Sequence, residues 1–563
     1  MNGRLITSLP VVCIIILFFV SNVAAKVPKV CHDAEKIKEA QQQMALYTKC
    51  IQSGKLSKDD LSRSLYNRGI NYHEIGEYRL AIRDYDKAIQ LNPVFDYAFN
   101  ARGNSYYDLG EHEHALKDFA RAIDLEPRMY YAHSNRGNVY RKQGNTRLAI
   151  EEYTRSITIK PRHADGYNNR GNAWYDLGEI QKALEDYTKA ISYNLRYFFA
   201  YNNRASIYLE LGDYGRALQD YNTALDIDNN SLEAYMGRGN VYRKLGRNNL
   251  AIKDYDKALQ LAPDYGECYN NRGNAYFSMG EYELALQDYS SAVTHAPERA
   301  YGYINRGRVM EKMGMYTEAL EDYDVAIALS GSSSSYNSRG NNYYIVGRYP
   351  EAIADYNKAI ELNPKYFYAY INRGNSYRKL GKPQQAILDY NTALRLNPDY
   401  SDGYNNRGNV HYDLGELEKA VTDYALAIAK KPDNVNAYVN RAKIWSVSKE
   451  YTKAVVDYEA ALRVAPESAV PYNAYAWFLI TVRTTSYRDA PRALELALQA
   501  VEITKGKNSS CLETLAKVYA ELGDFSEAAN VINSVVNQFN EKGKDNEAEM
   551  FRRVLVRYQS GRR

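Results

Sequence analysis

Between residues 62 and 468 the apolar positions repeat on two scales. Within a block, aromatic and small residues recur three and four apart, which is the spacing of one face of an α-helix. The blocks themselves recur every 34 residues, marked by the Gly of an Arg-Gly pair: Gly69, Gly103, Gly137 and Gly171, then Ala205, Gly239, Gly273 and Gly307. The series slips by one residue to Gly340 and resumes at Gly374, Gly408 and Ala442. Twelve regular units therefore fill 62–468, and two looser ones follow, marked by Ala476 and Ala516. A fixed period of this length means stacked copies of one supersecondary unit.

The units can be aligned against each other. Seven residues after the marker stands Gly in eleven of the twelve, Lys449 being the exception. Twelve after it stands Ala in all twelve, sixteen after it Tyr or Phe in all twelve, and 24 after it Pro in nine. Gly can take the left-handed conformation that ends a helix. Ala lets a second helix lie close to the first, and Pro stops that helix. The pattern predicts helix, tight turn, helix, stop. No such pair can bury its apolar face alone, so the units must stack.

In its spacing and in positions such as Tyr167, Gly171, Trp174, Ala183, Tyr187 and Ala190, the chain resembles the tetratricopeptide repeat family over essentially residues 40–540. The resemblance implies an all-α, right-handed superhelical solenoid of about fourteen helix-turn-helix units, acting as a scaffold for other proteins. In one respect the sequence departs from the family. Where Leu is usual, every regular unit carries Arg within a recurring Asn-Arg-Gly, from Arg68 to Arg441. Fifteen after the marker an acid answers it in all twelve units, from Asp84 to Asp457. On the helical period this Arg falls between core aromatics and faces the partner helix. The two rows are therefore expected to form internal helix-to-helix ion pairs.

Asparagine occupies the opposite arc of the first helix. Two before the marker stand Asn67, Asn135, Asn169, Asn203, Asn271, Asn305, Asn372, Asn406 and Asn440. One after it stand Asn104, Asn138, Asn172, Asn240, Asn274, Asn341, Asn375 and Asn409. Asn is a middling-to-poor helix former, up to about 0.7 kcal/mol worse than Ala. A face that needs only solubility would more often carry Glu, Lys or Gln. Because an amide both donates and accepts, a row of them can hold the backbone of an extended peptide. The family resemblance implies the same: first helices line the concave surface, and in the repeat region of O-linked N-acetylglucosamine transferase such a row grips substrate backbones. Passive inheritance of a solvated face is the competing reading. Four after the marker, aromatic and basic residues alternate, and Arg141, Arg243 and Arg378 would favour acidic or aromatic groups in a ligand. The positions of the family's chaperone-binding carboxylate clamp hold residues such as Asn168 and Met236, which argues against that partner class.

Composition changes the picture at the ends. Arg4, the apolar run Val11–Val20 and the small residues before Ala25 read as an export signal at 1–25, too short to span a bilayer; an uncleaved anchor is the alternative. Export to the periplasm or outside the cell makes a Cys31–Cys50 disulfide reasonable, pinning a capping half-repeat at 26–61. Two divergent units and a capping helix are expected over 469–563. A Ser run at 330–335 marks either a hinge or a local adjustment. The 72 basic and 68 acidic residues leave a net charge of +4, so no excess field draws nucleic acid. No nucleophile elbow, phosphate loop or zinc-protease motif is present, and His112 and His114 suggest a solvated turn before a metal site. The expectation is a non-catalytic chain without cofactor or metal, binding extended polypeptide. An accessory subunit of an enzyme such as a glycosyltransferase, or an oligomer-forming solenoid, are the alternatives; the oligomeric state is open.

Overall fold

A computed structural model describes residues 29–34, 39–541 and 543–562; the export segment lies outside them. Among the described residues all regular structure is helical, running from Lys29–Ala34 to Asp545–Gln559. The chain divides into two compact units between Ala296 and Pro297, and both are built from the same helix pair.

The Gly171 repeat shows how the pair is specified. Its first helix, Ala164–Asp176, ends at Gly178, whose φ of 77° is open to Gly at little cost. The second, Ile180–Tyr193, returns alongside and buries Ala183, Tyr187 and Ala190 completely. The marker glycine is needed because the Tyr187 ring lies on its backbone: a Cβ at Gly171 would stand 2.7 Å from Cε1 of that ring. Where Gly is missing from the turn, Lys449 is driven to a φ of 63°, a conformation that costs a residue with a Cβ roughly 1–2 kcal/mol.

The arginine–acid pairs are internal, as their helical phase predicts. Arg170 Nε donates to Asp186 Oδ2 and Nη2 to Oδ1, both at 2.8 Å. The same two-pronged contact recurs in every regular repeat with Asp; in the Gly137 repeat both nitrogens of Arg136 reach one oxygen of Glu152. Desolvation offsets much of the attraction. Burial pushes the Asp118 carboxyl up even with Arg102 donating to it. The third arm of the guanidinium was not foreseen: it crosses to the second helix of the preceding repeat. Arg102 meets Asp86, Arg204 meets Thr188 and Arg238 meets Asn222 in the first unit. Arg373 meets Asn357 and Arg407 meets Asn391 in the second. One side chain thus ties three helices.

At the N-terminal end, Cys31 of helix Lys29–Ala34 is disulfide-bonded to Cys50 of helix Ala40–Gln52. At the Ser run, helix Tyr316–Ser330 ends on Gly331 with a φ of 52°, and the Ser332 hydroxyl caps helix Ser333–Ile345. A tight cap takes the place of the usual Pro, and one residue is absorbed there. Cys268 and Cys511 are buried free thiols. No described helix is long and apolar enough to cross a membrane.

Candidate asparagine-lined peptide site

The two asparagine rows and a third that the sequence reading passed over form one network. The third row stands three before the marker, the first Asn of Tyr-Asn-Asn-Arg-Gly. In the first unit, Asn203 Nδ2 donates to Asn168 Oδ1 and to Asn172 Oδ1 of the preceding repeat, both at 3.0 Å. Asn135 donates to Asn100 at 3.1 Å, and Asn169 reaches Asn138 at 3.5 Å. In the second unit, Asn440 donates to Asn405 and Asn409, and Asn372 to Asn337, each at 3.1 Å. Asn67 reaches the Tyr47 hydroxyl of the capping segment.

The row one after the marker has a second duty. The core tyrosine of the same repeat donates its hydroxyl to the amide oxygen: Tyr153 to Asn138, Tyr187 to Asn172, Tyr255 to Asn240 and Tyr289 to Asn274, then Tyr356 to Asn341, Tyr390 to Asn375 and Tyr424 to Asn409. A buried tyrosine needs such an acceptor, so this Asn has a structural reason to recur. Asn104 has Phe119 opposite it and receives no hydroxyl.

Burial sorts the sites further. Asn104, Asn172 and Asn203 are buried, at 7%, 2% and 2% exposure, and Asn172 and Asn203 are bonded to their neighbours. Asn135, Asn169, Asn271, Asn372, Asn406 and Asn440 are half-buried and present part of the amide outward, as does Asn305. Asn271 and Asn406 have no side-chain partner among the described residues.

The position four after the marker pairs across repeats with the position five after the next marker. Arg141 Nε donates to Asp176 and Arg378 Nε to Asp413, both at 2.6 Å. His73 lies 3.4 Å from Asp108, and the Tyr175 hydroxyl donates to Glu210. Two of the three arginines put forward for a ligand are therefore answered by an acid within the chain; Arg243 meets the neutral Tyr255 hydroxyl and no carboxylate among the described residues. His112 and His114 lie in the first turn of helix His112–Leu125, where His112 packs on Tyr107 and His114 stacks on Tyr106. Among the described residues no three metal-binding side chains converge.

Glu311 is a half-buried acid in the same row, with its Oε1 buried. Its repeat has Arg308 where Tyr323 would find an Asn, so the carboxyl lies among the Tyr323 hydroxyl and the Asn342 amide without a well-aligned partner. Burial pushes it from 4.5 up to about 7. The folded chain then keeps a proton that the unfolded chain has lost between those values, so stability falls as pH rises from 4.5 to about 7. Glu311→Gln is expected to flatten that slope and to stabilise the chain at pH 8 by about 1–2 kcal/mol, less than the full value of such a shift because the group is only partly buried. Thermal melts at pH 5 and pH 8 check it; parallel behaviour of both chains would rule out the buried acid.

Comparison with known proteins agrees with this architecture. Models of the tetratricopeptide repeat match residues 62–95, 164–196 and 266–299, and the related TPR repeat model matches 103–144, 137–178, 205–246, 239–280, 340–381, 374–415 and 408–444. The chain belongs to the tetratricopeptide repeat family. Among solved structures it is similar to the Cut9–Hcn1 hetero-tetramer of the APC/C, with 16% identity over 80% of this chain and 95% of that one and a TM-score of 0.44. It is also similar to a tetratricopeptide repeat protein of Parabacteroides merdae, with 24% identity over 42% of this chain and 93% of that one and a TM-score of 0.35. No curated protein matches.

Proposed function

We propose that the chain is an exported, non-catalytic scaffold that holds extended polypeptide along the half-buried asparagines of its first helices. The observation that carries this reading is the pair Asn271 and Asn406. These two amides recur in register with bonded ones yet make no side-chain bond among the described residues, so internal structure alone does not account for them. Elsewhere the internal bonds consume N–H donors and leave oxygens. Asn440 donates both of its hydrogens, to Asn405 and Asn409. A ligand meeting such a rung would donate a backbone N–H to the amide oxygen, whatever its side chain. The Cys31–Cys50 disulfide supports export, since such bonds persist in oxidising compartments.

The test is a chain with Asn169, Asn271 and Asn406 changed to Ala, sites whose removal breaks at most one long internal contact. Binding to pools of acetylated, amidated dodecapeptides is expected to fall about tenfold while the circular dichroism stays unchanged. Undiminished binding by the folded variant would return these asparagines to inherited surface.

A further inference from the structure

The three arginines four after their markers occupy one register but have different surroundings. Arg141 and Arg378 each meet a carboxylate supplied by the next repeat, Asp176 and Asp413. For Arg243 the corresponding residue of the next repeat is Ser278. Its Nε is buried and makes no hydrogen bond, and the guanidinium has no ion-pair partner among the described residues. Its partner within the chain is neutral: the Tyr255 hydroxyl, which donates to Asn240 Oδ1 at 2.8 Å, accepts from the guanidinium.

A second departure coincides with the first. In four other repeats the residue four after the marker makes a ring contact with the residue nine after it: His73–Tyr78, Tyr107–His112, Phe277–Tyr282 and Tyr344–Tyr349. Here that residue is Asn248, and its Oδ1 is also buried without a partner. The same position in the neighbouring repeats holds Leu209 and Phe277, so no second charge stands in this register on either side. A buried N–H left unanswered is costly, and a low-dielectric setting strengthens the contact with a charge that answers the group.

From this arrangement we propose that Arg243 is the specificity rung of the groove: it takes the carboxylate of an Asp or Glu side chain on the bound peptide. The chain itself shows the geometry, since Asp176 on Arg141 is the internal counterpart of that contact. The ligand's carboxylate stands in for the acid that the next repeat supplies to Arg141 and Arg378, and accepts from the half-buried guanidinium. The inference rests on the peptide-holding reading above, and it adds the chemical class of one ligand side chain.

The probes are pools of acetylated, amidated dodecapeptides, random except for one central residue fixed as Glu, Gln or Lys, so that no C-terminal carboxylate is present. The full chain is expected to bind the Glu pool about tenfold more tightly than the Gln pool and to bind the Lys pool most weakly. Arg243→Gln should erase the Glu preference, Arg243→Lys should keep part of it, and Arg141→Gln should leave it intact. Equal binding of the Glu and Gln pools, or a preference that survives Arg243→Gln in a folded chain, overturns the assignment while leaving the asparagine reading in place. Binding of no pool at all overturns both. A preference seen only when the amidated ends are replaced by free carboxylates would assign Arg243 to a chain terminus and overturn the side-chain reading.

Discussion

Replacing Arg204 with Met should cost about 3–5 kcal/mol, the usual penalty for stranding one partner of a buried pair. Asp220 is 4% exposed and receives Nε at 2.7 Å and Nη2 at 2.9 Å. Without the guanidinium it keeps its desolvation cost and loses both donors, and Thr188 of the preceding repeat loses its contact as well. Changing both residues, Arg204→Met with Asp220→Leu, should recover most of the loss, because a packed apolar pair is often as stable as the ionic one. Denaturant midpoints of the two variants against the parent check this. A single variant that loses under about 1 kcal/mol would place the pair among solvent-screened bridges.

The second large effect comes from restoring the consensus. Gly237 stands where nine units have Asn, and Gly237→Asn should destabilise the chain by about 1–3 kcal/mol through overpacking. The cause is one repeat earlier. Ala205 occupies the marker position at which ten of the twelve regular repeats keep Gly under the core ring. The Tyr221 ring stands instead over Gly237, whose Cβ would lie 2.2 Å from its Cζ, and its hydroxyl turns to Ser206. Ala205→Gly reopens the usual seat, so the double variant should regain most of the lost stability. A double-mutant cycle measures the coupling; additive losses would mean that the ring position is not set by Ala205.

How much of this was legible in the sequence depended on where the partners lie. The Arg–acid pair, sixteen residues apart within one unit, could be read because both members recur in all twelve units. The third contact of the arginine could not, since its acceptor varies among Asp86, Thr154, Thr188 and Asn222 while the geometry stays the same. Chemistry shared by unlike side chains leaves no single-letter signal. The asparagine stripe was visible, but its internal duties were hidden. The core tyrosine that bonds Asn172 reads as a purely apolar core position, and the Asn168 that accepts from Asn203 enters the sequence reading only as a position of the carboxylate clamp. The doubled Asn of Tyr-Asn-Asn-Arg-Gly was the available clue, because the first of the two turns toward the following repeat and the second toward the preceding one. The pairing of Arg141 with Asp176 spans 35 residues and occurs in only some repeats. Aligning the units one against another therefore hid it, and comparing each unit with its successor would have exposed it.

The three-way arginine joint also bears on how such a chain can grow or shrink. Each joint needs only a carboxylate from its own unit and any small hydrogen-bond acceptor from the one before, so most neighbours are interchangeable. A recombination that inserts or deletes a whole 34-residue segment joins surfaces that already fit, and the number of units can drift without a new interface being invented. That freedom lapses where the acceptor has become Ala, as Ala120 before Arg136 and Ala425 before Arg441. It lapses too where two repeats have come to depend on each other, as Ala205 and Gly237 have. Such places fix the order of their units, and they are the ones that exchange between copies would preserve as blocks.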